Sequence, residues 1–224
     1  MQRVLEPELM LEQAQAEAYL HADFEEPHSR VLKLFEATFP GIELEGDVLD
    51  LGCGPGDITF RFARRFPRAR LVGIDGARAM LKLGLDRLDR EPEYRERVQF
   101  VEGYFPGAKL PAETYPVLIG NSLLHHVHDV RPFWRGVRRH AAPGAILFLV
   151  DLRRPADEAE ARRLTDLYVA NEPEVLRRDF YNSLRAAFEP GEVEAQLKEA
   201  GLAGIRVSVI SDRHLMIAGR IVDR

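Results

Sequence analysis

Three alternating glycines directly follow a short apolar run in the first quarter of the chain. The run DVLDL covers residues 47–51, the loop GCGPG covers residues 52–56, and a helical pattern starts at Asp57 or Ile58. Residues without side chains permit a tight turn and let a ligand approach the backbone. The free N–H groups of the following helix point into the same crevice. The loop therefore predicts a fold in which a strand leads through a ligand-binding turn into a helix.

An aspartate ends the second apolar run, 19 residues after the last loop glycine, at Asp75. A carboxylate at this strand end is able to accept two hydrogen bonds from a ribose diol. Counted from Gly52, the dinucleotide fingerprint G-x-G-x-x-G requires a glycine where Asp57 stands. Counted from Gly54, it requires one where Thr59 stands. Asp57 also adds negative charge beside a pyrophosphate, so the sequence predicts a mononucleoside site and disfavours NAD.

Apolar runs of strand length alternate with helical patterns through the first two thirds of the chain. They cover residues 47–51, 69–75, 98–103, 116–121 and 145–151. Such alternation requires crossover connections, which give a parallel sheet with helices on both faces. Two further runs, at 205–210 and 214–219, are joined by three residues and must be antiparallel. The sequence predicts an α/β fold with five parallel strands and a C-terminal antiparallel pair.

The length of 224 residues is enough for one full domain with additions. Within it we expect N-terminal helices in residues 1–45, a ligand-binding core in 46–152, a helical lid in 153–190, and a last helix with the strand pair in 191–224. The N-terminal helices are predicted at 8–21 and 28–39, and Pro173 separates two helical stretches of the lid. The lid is expected because a parallel core leaves its crevice open.

Charge and cysteine content restrict the partners and the compartment. The chain has 31 Lys and Arg against 36 Asp and Glu, a net charge of −5, which gives no general attraction to nucleic acid or anionic membranes. The single cysteine, Cys53, excludes an intramolecular disulfide, and the first residues lack a secretion pattern. No apolar run reaches the roughly 18 residues of a membrane span. We expect a cytoplasmic protein without a membrane partner, and the oligomeric state is not predicted.

Four segments of the sequence resemble the class I S-adenosylmethionine-dependent methyltransferases. VLDLGCGPG (48–56) and LVGID (71–75) are similar to their motifs I and II. NSLLHHVHD (121–129) and HAAPGAILFLVDL (140–152) are similar to their fourth and fifth strand regions. The resemblance covers about residues 46–152 and the terminal strand pair. It implies a Rossmann-like seven-stranded sheet, S-adenosylmethionine as cofactor and S-adenosylhomocysteine as product.

The resemblance also implies a set of cofactor contacts, carried over by position. These are Asp50, Gly52, Cys53, Gly54, Gly56, Asp75, Gly76, Gly103, Tyr104 and Asn121. Asp75 would hold the ribose hydroxyls, Asp50 would order the amino group, and Asn121 would contact the amino acid end. The three loop glycines would line the methionine and ribose parts, with Cys53 as a small packing residue.

The adenine site departs from the family pattern. Many members have an aspartate after the glycine that follows the third strand, and here Tyr104 follows Gly103. A tyrosine cannot replace the carboxylate that accepts from the adenine amino group. Adenine recognition is therefore expected from backbone groups near Gly103 and Tyr104.

Three histidines, His125, His126 and His128, directly follow the fourth strand. A structural zinc site normally has four ligands that include cysteines, and the one cysteine lies in the glycine loop. We therefore expect no metal. A pocket-lining or general-base role for His125 or His126, and simple packing, are the alternatives that the sequence leaves open.

Four residues are candidates for the substrate side: Tyr19, Arg153, Arg178 and Tyr181. Arg153 and Arg154 follow the fifth strand, where adjacent guanidiniums suit a carboxylate or phosphate. Solvated charges that pair with the nearby Asp157, Glu158 and Glu160 explain them equally well. The other three candidates lie in the N-terminal and lid segments expected to cover the crevice. Bacterial methyltransferases of unassigned substrate are similar in these stretches.

The acceptor is expected to be a small molecule. An N-P-P-[FY] motif, which marks amino-methylating enzymes on nucleobases, is absent after the fourth strand, where the sequence is NSLL (121–124). Together with the negative net charge this disfavours a nucleic acid acceptor. A methyltransferase acting on a protein or tRNA, a non-catalytic binder of the cofactor and a nucleotide-dependent oxidoreductase are the alternatives.

Overall fold

A computed structural model describes residues 1–7 and 25–222 of the chain. In this part of the chain the strands are β1 (Gly46–Leu51), β2 (Ala69–Asp75), β3 (Val98–Glu102), β4 (Tyr115–Asn121), β5 (Ala141–Leu152), β6 (Ile205–Val209) and β7 (His214–Arg220). They form a single sheet in the order β3-β2-β1-β4-β5-β7-β6. β1 to β5 are parallel, and β7 runs antiparallel between β5 and β6. The predicted α/β fold with a C-terminal antiparallel pair is confirmed.

Helices connect these strands and extend the core at its edges. They are α1 (Glu25–Thr38), α2 (Asp57–Arg65), α3 (Arg78–Arg90), α4 (Val130–His140), α5 (Glu158–Tyr168), α6 (Glu174–Ala186) and α7 (Pro190–Glu199), with 3-10 turns at Pro92–Tyr94 and Leu124–His126. Pro173 separates α5 from α6, and Gly201 with φ +71° follows α7. The helix predicted at 8–21, which contains Tyr19, lies outside the described residues. None of the helices in residues 1–7 and 25–222 combines the length and apolar character of a membrane span.

The sheet is covered on both faces by apolar side chains. Along β5, Leu147 and Leu149 pack into one cluster while Phe148 packs into the other. On the side of Phe148, the ring of Phe35 from α1 lies 5.2 Å from it between centroids, at an edge-to-face angle of 90°. On the opposite side, Trp134 of α4 is almost fully buried. β5 is thus buried on both faces, as its continuous apolar run requires.

β1 lies between β2 and β4, so the strand order changes direction at β1. In open α/β sheets the ligand crevice lies beyond the carboxyl ends of the strands at such a switch point. The loop after β1, Asp75 at the end of β2 and Asn121 at the end of β4 all lie at this edge. The topology therefore gathers at one place the residues predicted for the nucleoside. The division of the chain at 45, 152 and 190 stays a prediction.

The ring of Phe100 on β3 is enclosed by three glycines, which we call the three-glycine socket: Gly56, Gly73 and Gly84. A Cβ at Gly56 would lie 2.5 Å from this ring, and one at Gly73 or Gly84 would lie 3.0 Å from it. The first distance excludes a side chain unless the ring moves, and the other two are tighter than almost all real Cβ contacts. The socket lets the loop after β1, the strand β2 and the helix α3 close around one side chain.

Candidate functional site

A cavity of about 770 Å³ opens at the carboxyl ends of β1, β2 and β4. The predicted cofactor residues in its wall are Asp50, Gly52, Cys53, Gly54, Asp75, Gly76, Gly103, Tyr104 and Asn121. Gly56 is the exception among the described residues that were predicted to contact a cofactor, because it is buried away from the cavity. One site thus brings together residues from three strand ends and from the chain after β3.

The loop glycines have different physical roles. All of them have positive φ, at +63° for Gly52, +53° for Gly54 and +81° for Gly56, where a side chain is strained. A Cβ at Gly54 would meet no atom within 4 Å, so this position borders open space. At Gly56 the Phe100 ring fills that space. The predicted cofactor contact of Gly56 is therefore corrected: glycine is needed there for packing and for the turn into α2.

Asp75 holds the glycine loop and faces the cavity. One carboxylate oxygen accepts from the backbone N–H of Gly54 at 2.8 Å and the other accepts from that of Ala77 at 2.7 Å. Burial raises the pKa of Asp75, and these two donors act in the opposite direction. Since each carboxylate oxygen has two lone pairs, each retains one acceptor position for a further donor. The geometry suits the pair of hydroxyls of a ribose.

Asp50 at the end of β1 is buried below the loop. Its carboxyl accepts a 2.6 Å hydrogen bond from the Thr59 hydroxyl of α2. Burial raises the pKa of Asp50 to about 7, against the opposite effect of the Thr59 donor. A cation at this position would stabilise the ionised form, since an opposite charge lowers the pKa of a carboxyl.

Replacement of Asp50 by asparagine is expected to change how stability depends on pH. The folded pKa of about 7 exceeds the ordinary value of 3.8, so folding favours the protonated carboxyl. The free energy of unfolding of the wild type therefore falls as pH rises from about 4 to 7. Asp50→Asn removes this titration, and its stability relative to wild type should rise by about 3 kcal/mol between pH 5 and pH 8.

Urea unfolding of both proteins at pH 5 and pH 8 measures this difference. Asp86→Asn is the control, because Asp86 is an exposed carboxylate on α3 that pairs with Lys82 at 2.7 Å. The control should follow the pH dependence of the wild type. A pH-independent difference between Asp50→Asn and wild type would contradict the buried titration.

Cys53 behaves as a packing residue in this structure. Its thiol is buried, and burial raises its pKa well above the ordinary value. A Cβ at Gly73 of the neighbouring strand would lie 2.8 Å from its sulfur. A thiol with a raised pKa is a poor nucleophile. The arrangement agrees with the prediction of a small side chain that packs inside the loop.

Asp57 begins α2, and basic side chains around its carboxylate offset much of its negative charge. Its carboxylate accepts from Nδ1 of His28 and from Nε of Arg61, both at 2.7 Å, and Arg87 approaches the other oxygen at 3.2 Å. Burial alone would raise the pKa of Asp57, but the His28 and Arg61 hydrogen bonds outweigh it and lower the pKa. The case against a pyrophosphate therefore rests on the loop geometry and not on this charge.

Residues that follow β4 and β3 also line the cavity, where the sequence predicts contacts with the nucleoside. Asn121 lines it, and the next residue, Ser122, has φ +53°, which is strained for a residue with a side chain. Across the cavity, Tyr104 is 58% exposed and Gly103 has φ +153°. The exposed Tyr104 ring is available to a flat ligand.

Sequence and structure comparisons agree with this geometry. A sequence model of the family described as methyltransferase domain matches residues 49–147, which include the glycine loop, Asp75 and Asn121. This stretch is similar to methyltransferase domains. The trans-aconitate 2-methyltransferase of Afipia carboxidovorans is 34% identical over 114 residues, which cover 51% of this chain and 40% of that protein. The chain spans about half the length of the curated relatives it matches.

Solved structures of other proteins have the same fold over most of this chain. A protein from Methanococcus maripaludis, described as an S-adenosyl-L-methionine-dependent methyltransferase, superposes with a TM-score of 0.71 at 16% identity, over 99% of this chain and 98% of its own. The Haemonchus contortus phosphoethanolamine N-methyltransferase 2, crystallised with S-adenosylhomocysteine, has a TM-score of 0.68 at 13% identity, over 88% of this chain and 53% of its own. At such identities the likeness establishes the fold.

The segment predicted as a lid forms one wall of this cavity. The lining residues from α5, α6 and their connection are Tyr168, Val169, Glu172, Leu176, Phe180 and Ser183. The Tyr168 hydroxyl donates to Asp212 at 2.7 Å, and the Arg213 guanidinium lies 3.3 Å from the centre of the Tyr168 ring. These contacts fasten α5 to the turn between β6 and β7.

His125 is held against Asp151 at the end of β5. Its Nδ1 donates to one Asp151 oxygen at 2.5 Å, while the other oxygen accepts from the backbone N–H groups of Leu123 and Leu124. Burial alone would lower the pKa of His125, but Asp151 outweighs it and raises that pKa. Burial would raise the pKa of Asp151, but His125 and the backbone donors lower it. Asp151 therefore fixes the orientation of the His125 ring.

Glu6, from the first described residues, closes the histidine cluster. Its Oε1 lies 3.6 Å from Nε2 of His125 and 3.3 Å from Nδ1 of His126, and its Oε2 accepts from the Ser183 hydroxyl at 3.2 Å. Burial raises the pKa of Glu6 and lowers that of His126 to about 3. His125 and His126 both line the cavity, as predicted for one or both of them. A general-base role for either stays a prediction.

The other candidates for the substrate side do not lie at the cavity formed by the described residues. Arg178 is about half exposed and pairs with Asp179, and the ring of Tyr181 lies under the guanidiniums of Arg162 and Arg185. Tyr19 lies outside the described residues. Helical periodicity alone does not tell which face of α6 turns towards the cavity, and a substrate role for Arg178 and Tyr181 stays a prediction.

Neither arginine of the pair after β5 is among the described residues that line the cavity. The backbone N–H of Arg153 donates to Arg213, and the side chain of Arg154 is 5% exposed. Arg154 pairs with Glu189 at 3.2 Å and with Glu192 at 2.8 Å. Arg154 is therefore paired within the chain, but it is buried and its partners are acids at the start of α7 instead of the expected Asp157, Glu158 and Glu160.

Asp151 and Glu6 are the site residues that sequence reasoning missed. Asp151 had a detectable signal, because it ends the strand next to β4 and so faces the residues after Asn121. Glu6 had none, because it is 119 residues before His125 and belongs to a segment without an apolar pattern.

Proposed function

We propose that this chain is an S-adenosylmethionine-dependent methyltransferase that acts on a small-molecule acceptor. The observation that carries the proposal is the open space at Gly54 directly beside the Asp75 carboxylate, in the wall of a cavity of about 770 Å³. Such a place accepts a ribose close to the backbone and leaves further volume for a second molecule. Volumes of about 300–1,000 Å³ are typical of small-molecule sites.

The residues present fit S-adenosylmethionine. Asp75 has acceptor positions for the ribose hydroxyls, and Gly54 leaves room for the ribose against the loop. Asp50, buried with a raised pKa, would bind the amino group as a carboxylate, and Asn121 would contact the same end of the molecule. Tyr104 and Gly103 would contact the adenine without a carboxylate.

Methyl transfer requires little proton chemistry from the protein. When bound, S-adenosylmethionine supplies a methyl group on a positively charged sulfur, ready for in-line displacement. The protein then has to align the acceptor and exclude water. These two effects are able to supply a large part of the rate acceleration. Leu176 and Phe180 of α6 provide an apolar wall, and Tyr168 is held in place through Asp212.

The small-molecule acceptor is supported by the lining of the cavity. α5 and α6 form one wall of it and contribute the apolar side chains of Leu176 and Phe180. Arg30 and Arg213 add positive charge to the wall, and Glu172 and Asp179 add negative charge. The trans-aconitate 2-methyltransferases, named for a small carboxylate, are consistent with this class.

Calorimetry tests the cofactor part of the proposal. The full chain should bind S-adenosylhomocysteine at one site with micromolar affinity, while NAD at the same concentration should give no heat of binding. Binding of NAD in place of S-adenosylhomocysteine would favour the oxidoreductase, and the absence of both would remove the proposed site.

Label transfer tests the acceptor. With methyl-labelled S-adenosylmethionine and a bacterial extract divided into small molecules, protein and tRNA, the label should appear in the small-molecule fraction. Label in protein or tRNA would assign the other acceptor class. Cofactor binding with no labelled fraction at all would identify a non-catalytic binder.

A further inference from the structure

The side chains of Glu6, His125 and His126 meet at the wall of the cavity. One ligand-type atom from each of them lies within 4.8 Å of those of the others. We propose that these three residues form a binding site for a divalent transition metal ion, with zinc as the reference ion. The site is distinct from the residues that would hold the nucleoside, and its existence does not depend on the proposed function.

The distances fit metal coordination. Oε1 of Glu6 lies 3.6 Å from Nε2 of His125 and 3.3 Å from Nδ1 of His126. In a tetrahedral zinc site, bonds of about 2.0–2.2 Å place neighbouring ligand atoms about 3.3–3.6 Å apart. These two distances already match coordination, while Nδ1 of His126 also lies 3.3 Å from the carbonyl oxygen of Pro7, so an ion at this nitrogen would replace that contact.

The Glu6 carboxylate lacks a partner that its burial requires. The side chain is 8% exposed, and Oε1 accepts no hydrogen bond from any residue in the described part of the chain. The contacts of Oε1 with the two imidazoles lack hydrogen-bond geometry, although its other oxygen accepts from Ser183. A buried carboxylate oxygen without a partner costs free energy. A cation between Glu6 and the two rings would supply the missing interaction.

The surroundings of His125 are typical of a metal-bound histidine. Its Nδ1 donates to the Asp151 carboxylate at 2.5 Å, so Nε2 is the free ring nitrogen that faces Glu6. Metal-bound histidines usually donate the second ring N–H to a carboxylate or a carbonyl, which fixes the ring. Asp151 is itself held by the backbone N–H groups of Leu123 and Leu124. The ring is thus oriented before any ion binds.

The donor set decides the class of ion. Two imidazoles and one carboxylate favour zinc and neighbouring transition metals over magnesium or calcium, which prefer oxygen ligands. Three protein ligands leave at least one coordination position, and His125 and His126 line the cavity. The site is therefore of the open kind and not of the closed structural kind.

Zinc binding to the metal-free full chain tests the proposal. After dialysis against EDTA, calorimetry should show one bound Zn²⁺, and the melting temperature should rise with zinc concentration. Glu6→Gln and His126→Ala should each lower the affinity by more than about 100-fold, beyond the loss typical of residues outside the ligand set. His214→Ala is the matched control, since His214 lines the same cavity but contacts Ser211.

Three further measurements distinguish loss of the metal site from loss of the fold or of the nucleoside site. Cobalt substitution should give the visible absorption bands of a nitrogen- and oxygen-bound ion in the wild type and in His214→Ala, and not in His126→Ala. Circular dichroism shows whether each variant folds, and unchanged S-adenosylhomocysteine binding in Glu6→Gln separates this site from the nucleoside site. No bound zinc in the wild type, or equal zinc affinity in all four proteins, would overturn the proposal.

Discussion

Replacing Asp75 with alanine is expected to lower the affinity for S-adenosylhomocysteine by more than 100-fold. The carboxylate has an acceptor position on each oxygen for the ribose hydroxyls, and hydrogen bonds to charged groups contribute about 1.5–3 kcal/mol each. Loss of two such bonds is worth about 3 kcal/mol or more, which is roughly 100-fold or more in the dissociation constant. The variant also removes the acceptor for the N–H groups of Gly54 and Ala77, so the loop loses part of its order.

Calorimetry of wild type and Asp75→Ala measures this loss. Asp86→Ala is the matched control, because it removes a carboxylate on α3 whose contact is a surface ion pair with Lys82. Circular dichroism and thermal unfolding should show that both variants keep the fold. Affinity for S-adenosylhomocysteine within about threefold of wild type in a folded Asp75→Ala protein would refute the placement of the ribose.

A methyl group at Gly54 is expected to weaken cofactor binding at a small cost in stability. The backbone there has φ +53°, and the added Cβ would meet no protein atom within 4 Å. The strain of a left-handed alanine is about 1–2 kcal/mol, while the methyl occupies space that the ribose needs. Because the ribose would lose its contact with the loop, Gly54→Ala should bind S-adenosylhomocysteine at least about 10-fold more weakly than wild type does.

Gly144 offers a control with the same backbone and no cavity. Its φ is +72°, a Cβ there would also meet nothing within 4 Å, and it is exposed. Gly144→Ala should lose a similar amount of stability in urea unfolding and keep its affinity for S-adenosylhomocysteine. Equal affinities in Gly54→Ala and Gly144→Ala would show that the cofactor does not approach the loop at Gly54.

Much of the fold was predictable because strands and helices leave different periods in the sequence. The apolar runs that become β1, β2 and β4 are short and bounded by polar residues, and the three-residue connection fixes the antiparallel sense of β6 and β7. The glycine spacing and the position of Asp75 likewise pointed to residues that line the cavity. Each of these signals is local in the chain, or depends only on the edge at which parallel strands end.

Contacts between distant segments could not be predicted in the same way. Sequence reasoning weighed a metal at His125 and His126 from neighbouring residues alone, whereas Glu6 approaches from the other end of the chain. The same holds for Arg178 and Tyr181 on α6, which do not line the cavity, because the face that a helix turns towards a cavity is set by its packing. Gly56 shows a further limit, since glycines needed for a ligand and for a ring look alike in sequence.

The three-glycine socket around Phe100 makes substitutions on separate elements interdependent. An alanine at Gly73 or Gly84 would press on a ring that also touches the glycine at the start of α2. The same alanine would be tolerated better beside a leucine at position 100, so the energies of the two changes would not add. Sequence changes in the loop after β1 are thereby coupled to the residue at position 100 of β3. Relatives that differ at one of the socket positions should therefore differ at another as well.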